Sequence, residues 1–418
     1  MIRLVEALKY RCLLDIKREV GPFQVLVGPN ASGKSTFLDV IGFLRDLLVQ
    51  GLDRAVSDRS PSLLDLVWMA TGARFDLAVE VEIPEERRAR LPQNGYKRAR
   101  YEVAIGFDAS RQLSIVGETL WLRGGEAPRG PQQRVLFPAA TAPRESIVLP
   151  EGKRTPAGWK KVVSKMPESG NDYFFAETTG WQNPFRLGPR RSALANLPED
   201  EERFPVATWV KRLLMEGVQK LALNSEAMRR AQPPGSPLDF QPDGSNLPWA
   251  VEGLRQRDGE RFRRWVAHVR TALPDLVDIH TVEREDDRHR YLRIEYASGL
   301  KAPSWTVSDG TLRLLALTLI AYLDGPPRVY LIEEPENGIH PQAVETVFQS
   351  LSSAYGSQIL CATHSPVVLS LAEPEQILCF ARTDEGATDV VSGREHPNLR
   401  EWKRTADLGT LFAAGVLG

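Results

Sequence analysis

Apolar and polar positions change rhythm along the chain, and each rhythm predicts a different kind of structure. Near the start, Ile2 to Val5, Cys12 to Ile16 and Phe23 to Val27 alternate or run apolar between turn residues, which predicts strands. The third run leads straight into a glycine loop, after which Phe37, Leu38, Ile41, Leu44 and Leu48 recur at helical spacing. From Phe75 the texture is strand-like again: Phe75 to Ile83 and Tyr101 to Ile105 alternate, and Leu113 to Trp121 adds a third segment. Clustered alternating strands predict an antiparallel sheet with one face in solvent.

The stretch 122–250 has no clear period. Prolines recur (Pro128, Pro131, Pro138, Pro143, Pro150, Pro156), and helical spacing emerges only from Val206 to Leu223, around Trp209, Leu213, Leu214 and Val218. Gln232 to Pro237 reads as a loop. The last third regains order, with a helix over Val251 to Leu273, a hairpin over His280 to Tyr296 and a buried helix over Leu312 to Leu323. Val329 to Ile332 and Ile359 to Thr363 are short, fully apolar strands. Strands alternating with helices around such runs predict an α/β fold whose core sheet is mostly parallel and covered on both faces. The parts expected are 1–121, carrying the glycine loop and the antiparallel β subdomain; 122–250, an insertion or helical lobe; and 251–418, which completes the core.

Composition narrows this little. Over 418 residues, 42% are apolar and 26% charged, an ordinary globular balance, and the net charge of −1 gives no global pull toward nucleic acid. Cys12, Cys361 and Cys379 show no CxxC spacing, which points to a reducing compartment and to neither a disulfide framework nor a zinc site. Charges at Arg3 and Glu6 come too early for a signal peptide, and the Leu312–Leu323 run is interrupted by Arg313 and too short for a bilayer. The expected location is the cytoplasm, with no membrane partner.

The chemistry begins at the loop Gly28-Pro29-Asn30-Ala31-Ser32-Gly33-Lys34-Ser35-Thr36, which has the Gly-x4-Gly-Lys-Ser spacing of a P-loop. Glycines let backbone N–H groups wrap a phosphate at a helix N-terminus, whose dipole favours the anion. Lys34 would reach the β- and γ-phosphates of ATP, and the Ser35 hydroxyl would ligate Mg²⁺. The loop alone also suits a kinase, a GTPase or a helicase. A partner strand ending in acids is expected, and Val329-Tyr330-Leu331-Ile332-Glu333-Glu334 has that form. Glu333 would hold the Mg²⁺ shell and Glu334 would activate the attacking water.

Three further segments, Ser308-Asp309-Gly310-Thr311, Pro335 to Pro341 and Thr363-His364-Ser365-Pro366, follow in a fixed order. With the P-loop they resemble the ATP-binding cassette (ABC) superfamily of P-loop NTPases. There a Ser-x-Gly signature meets the γ-phosphate held by the opposite subunit, so the resemblance implies a homodimer in which Ser308 and Gly310 complete the partner's site. His364 would match the switch histidine that senses the γ-phosphate. The string Glu333-Glu334-Pro335-Glu336-Asn337-Gly338-Ile339-His340-Pro341, with Pro242 to Leu247 upstream, is similar to the RecF/OLD-like ATPases related to SMC heads rather than to transporter cassettes. The resemblance leaves the middle uncovered. Glu333 stands where the broad superfamily usually has Asp, and Gln50 is the default candidate for the glutamine that links the lobes.

OLD nucleases carry a Toprim domain after the switch histidine; the 54 residues beyond His364 are too few for one, and nuclease activity is not expected. A transporter's energising subunit is disfavoured because Ser308 lies 275 residues beyond Gly33. A non-catalytic nucleotide sensor or scaffold holding an effector is the second reading. The RecF/OLD-like resemblance implies DNA maintenance or defence against phage, often with a separately encoded effector. DNA contact through Arg87-Arg88-Ala89-Arg90, Lys97 to Arg100 or Arg261 to Trp265 is left open, solvated or acid-paired faces being the commoner use of such runs.

Overall fold

The computed structural model describes residues 1–92, 95–124, 134–148, 155–166, 170–399, 408–413 and 415. Of the prolines noted above, Pro128, Pro131 and Pro150 lie outside the described residues. The strands, in chain order, are β1 (Ile2–Tyr10), β2 (Leu13–Glu19), β3 (Phe23–Val27), β4 (Arg74–Glu82), β5 (Tyr96–Phe107) and β6 (Leu113–Gly124). Then come β7 (Trp159–Met166), β8 (Asn171–Phe175), β9 (Gln182–Phe185), β10 (Val218–Leu221), β11 (Leu276–Glu283) and β12 (Arg290–Tyr296). The last are β13 (Lys301–Pro303), β14 (Val329–Glu333), β15 (Gln358–Ala362), β16 (Ile377–Arg382) and β17 (Thr388–Ser392). The chain forms two compact units, one built mainly from Met1–Val218 and Pro374–Trp402, the other from Gln219–Glu373 and Lys403–Val416.

In the first unit, eight strands make an antiparallel sheet in the order β2-β1-β4-β5-β6-β7-β8-β9. The stretch 122–250 therefore supplies β7, β8 and β9 to this sheet, and β10 and short helices (Ala207–Arg212, Ser225–Arg229) besides. Its Val206–Leu223 pattern gives only that six-residue helix and a π turn, Leu213–Gly217, before β10.

The solvent-facing side expected of this sheet is instead buried. Glu6, Glu80 and Glu102 are at most 1% exposed. Carboxylates cannot be buried alone, and each is paired. Arg100 donates to Glu102 at 2.7 Å, Glu6 at 3.1 Å and Glu80 at 3.4 Å, and Arg123 also reaches Glu80. Burial opposes the charge on Glu6, but Arg100, Lys17 and Arg144 together hold its carboxyl below the usual range. Residues 134–148 run over the sheet, with Arg144 on Asp15, Ser146 on Asp76, and Ile147 packed on Leu8 and Ala78.

Beside the large sheet the same unit pairs β3 parallel with β16, and β16 antiparallel with β17. The helix Lys34–Val49 follows β3 and buries Phe37, Leu38, Ile41, Leu44 and Leu48, the residues that predicted it.

In the second unit, β10 neighbours β14, which pairs parallel with β15. A separate antiparallel sheet runs β11-β12-β13. The helix expected over Val251 to Leu273 is two, Leu247–Arg257 and Gly259–Ala272. Asp258 breaks it, because its carboxylate caps the second helix by accepting from the Arg261 N–H at 2.8 Å. The buried run from Leu312 belongs to the helix Asp309–Leu319, with a single 3₁₀ turn, Ile320–Tyr322, after it. Among the described residues no helix is long and apolar enough to cross a membrane.

Candidate functional site

The phosphate loop lies in the first unit, between the fully buried strand β3 and the helix Lys34–Val49. Its glycines are required by geometry. Gly28 has φ 148°, and a Cβ there would stand 2.2 Å from the carbonyl oxygen of Phe380. Gly33 has φ 103°, and a Cβ there would stand 2.4 Å from the Thr388 hydroxyl. Ala31, at φ 59°, also takes the left-handed conformation. The helix has no acid in its first turn, so its positive end is uncompensated by side chains.

Lys34 is 6% exposed and folds back over the loop, its ammonium donating to the carbonyls of Gly28 and Pro29, both at 2.8 Å. Ser32 Oγ is buried with no hydrogen-bond partner among the described residues. A tight glycine cradle, a lysine held on backbone carbonyls and an orphaned hydroxyl together fit a polyphosphate. Thr36 Oγ1 accepts from the Cys12 thiol at 3.5 Å. Gln50 caps the far end of the same helix, sixteen residues from Lys34 and so about 24 Å along the axis. It cannot serve the loop, which removes it as the linking glutamine.

In the second unit β14 ends at Glu333, and Glu334 turns the chain with φ 48°, its N–H donating to the Ala362 carbonyl at 2.8 Å. Glu333 accepts from Lys220 Nζ at 2.9 Å. A cavity of about 490 Å³ opens here, lined by Lys220, Arg313, Glu333, Glu334 and Asn337 among others. Glu336 ties this turn to the end of β15: it accepts from the Thr363 hydroxyl at 2.6 Å and from the His364 N–H at 3.4 Å. Burial, with the charge of Glu336 added, keeps the Cys361 thiol well above its ordinary pKa.

Ser308 caps the helix Asp309–Leu319, accepting from the Thr311 N–H at 3.2 Å, and remains exposed. Arg229 fixes the approach to it, pairing with Asp309 at 2.5 Å and donating to the Val307 carbonyl at 2.9 Å. Gly310 abuts the turn after the acids: a Cβ there would meet the Gly338 carbonyl at 2.6 Å. Glu333, Glu334, His364, Ser308 and Gly310 are thus drawn into one unit by packed backbone. Lys220 and Thr388 lie outside every motif and matter only through a contact across the fold, while Glu336 lies within the string Glu333 to Pro341, which assigns it no role.

The basic runs are largely engaged within the chain. Arg87 and Arg90 share Glu201, Arg98 and Arg100 turn onto Glu80, and Arg261 pairs with Asp324.

Comparison with known proteins places this geometry. The lipoprotein-releasing system ATP-binding protein LolD 1 of Rhodopseudomonas palustris is 31% identical over 144 residues, 32% of this chain. The chain spans 63% of that relative's length. The Smc head bound to the C-winged helix domain of ScpA superposes with a TM-score of 0.52 at 14% identity, covering 94% of this chain and 97% of the other. The Smc head with an extended coiled coil, bound to the C-terminal domain of ScpA derived from Pyrococcus furiosus, gives 0.50 at 13% identity, covering 94% and 96%. These likenesses establish an SMC-head-like α/β P-loop NTPase fold. Residues 23–370, well over half of the chain, match the family described as "AAA domain, putative AbiEii toxin, Type IV TA system", and the protein belongs to that family.

Proposed function

We propose that the chain hydrolyses ATP as a head-to-tail homodimer, each nucleotide held by the phosphate loop of one copy and by Ser308 and Gly310 of the other. The observation that supports this best is Glu334. A non-glycine residue at φ 48° bears a strain of about 1–3 kcal/mol, and such strain clusters where a side chain must be aimed. Glu334 would take a proton from water as its oxygen attacks the γ-phosphorus and ADP leaves, with Lys34 and the loop N–H groups holding the phosphates. Ser35 and Glu333 offer the oxygen ligands Mg²⁺ prefers, and the ion, when bound, would neutralise β- and γ-phosphate charge. His364, tied through its backbone to Glu336, would sense the γ-phosphate.

The family's description names a toxin and a type IV toxin–antitoxin system. That name supports a cycle acting on a separately encoded effector, and the RecF/OLD-like resemblance of the motifs supports anti-phage defence or a DNA-associated process as its setting. The test is Glu334→Gln, expected to trap an ATP-dependent dimer in gel filtration while abolishing phosphate release. An unchanged monomer with ATP bound would sink the shared-site mechanism.

The Lys220–Glu333 ion pair favours a second reading, a slow nucleotide sensor that holds an effector, because it occupies the carboxylate needed for the metal. Single-turnover hydrolysis with and without DNA separates the two: a rate no higher than that of Lys34→Ala would favour the sensor.

A further inference from the structure

Thr388 opens β17 and is 4% exposed. Its hydroxyl donates to the Ser32 carbonyl of the phosphate loop at 2.9 Å, and its N–H donates to the Cys12 carbonyl at 2.9 Å. It fills the space that Gly33 leaves, so the loop rests directly on this side chain.

The next residue is anchored elsewhere. Asp389 is 6% exposed, and its Oδ2 accepts from the Ala139 N–H at 2.8 Å and pairs with Arg134 at 2.5 Å. Successive strand residues project to opposite faces, so the loop and the 134–148 segment grip opposite sides of one strand end. The segment is latched at both ends. Beside Asp389, the Arg134 N–H donates to the Glu395 carbonyl at 3.1 Å, and Phe137 packs edge-on against His396 at 5.1 Å. At the other end Arg144 forks onto Asp15, and Ile147 is buried. Releasing the segment would strip Asp389 Oδ2 of both its donors. It would leave the Val390 N–H, which donates to Oδ1 at 2.8 Å, with the nearby Arg18 charge. A carboxylate that loses its guanidinium partner no longer favours the same position. The strand end that carries Thr388 is thereby coupled to the segment through Asp389.

We propose that Thr388 is a positioning residue for the phosphate loop, and that residues 134–148 form a strap whose docking on Asp389 sets the loop's affinity for nucleotide. The inference rests on the loop binding ATP. By reciprocity, ATP must tighten the strap as much as the strap tightens ATP. A partner that lifted the strap would thereby discharge the nucleotide without touching the site.

The test uses the full chain with a fluorescent ATP analogue. Thr388→Val, which keeps the shape and loses the donor, is expected to weaken binding about tenfold, while Thr388→Ser stays within about twofold of wild type. Arg134→Ala is expected to weaken binding in wild type and to add nothing to Thr388→Val, the mark of a shared route. Hydrogen exchange of amides 134–148 is expected to slow on adding ATP to wild type and not to Thr388→Val. Wild-type binding with an unaltered Thr388→Val affinity overturns the proposal. If Thr388→Val does not fold, the wild-type exchange decides: protection of the loop by ATP without protection of 134–148 overturns it. Absence of ATP binding by the wild type would instead refute the nucleotide reading on which it stands.

Discussion

Gly310, in the first turn of the helix Asp309–Leu319, touches the backbone of Gly338, in the turn after Glu333 and Glu334: a Cβ on Gly310 would lie 2.6 Å from the Gly338 carbonyl oxygen. The helix start and the turn are therefore packed as one piece. Gly310→Ala has to push that turn away, at a cost of about 1–3 kcal/mol typical of overpacking. The expected outcome is a lower unfolding midpoint in urea, together with a weaker ATP-dependent dimer in gel filtration. A variant with wild-type stability and dimerisation would show that the contact yields freely.

The sequence disclosed the parts of the site whose chemistry is local. The phosphate loop and the acids after Val329–Ile332 are read from spacing alone, since a turn, a strand end and a helix start are set by neighbours a few residues away. Thr388 could not be found so, lying 356 residues from the carbonyl it holds. Nor could β7 and β8, where Lys165 and Asp172 form a buried pair at 2.6 Å and so break the apolar alternation that marks a strand. The break at Asp258 was hidden for another reason: apolar spacing continues across it, and only the cap shows that two helices meet there.

The polar interior of the large sheet yields a second expectation. Arg100 is the shared partner of Glu6, Glu80 and Glu102, all essentially inaccessible. Arg100→Ala would leave buried carboxylates short of a counter-charge, and removal of one partner from such a cluster typically costs about 3–5 kcal/mol. Loss of the folded first unit, read by circular dichroism melting, is expected. Arg98→Ala, whose side chain is more exposed and which contacts only Glu80 among these acids, should be far milder.

Lys220 bears on metal binding. Its ammonium stands 2.9 Å from Glu333, and both side chains are open enough for solvent to weaken the pair. A cation already on the carboxylate competes with Mg²⁺. Lys220→Ala is expected to lower the Mg²⁺ concentration needed for half-maximal nucleotide binding by about two- to fivefold, the range an exposed pair allows. Binding measured in excess chelator should not change. A raised Mg²⁺ requirement would mean that Lys220 helps to hold the phosphates and does not compete for Glu333.

Glu177 sets the pH dependence of the first unit. Burial is the largest influence and lifts its carboxyl from the usual carboxylate range to about 7, while the Val206 and Ala207 N–H groups and Lys160 pull the other way. Both of those N–H donors sit 2.7 Å from its oxygens, at the start of the helix Ala207–Arg212. Because the folded pKa is raised, the native state holds this proton more tightly than the unfolded chain. The stabilisation is fully present below about pH 4.5 and is lost as pH rises toward about 7, by at most about 3 kcal/mol. Glu177→Gln cannot ionise and still offers one acceptor oxygen to the helix start. Urea midpoints of the wild type should therefore fall between pH 5 and pH 7, and those of the variant should fall less. Equal slopes in the two proteins would place the ionisation of Glu177 below this range, with the two N–H donors outweighing burial.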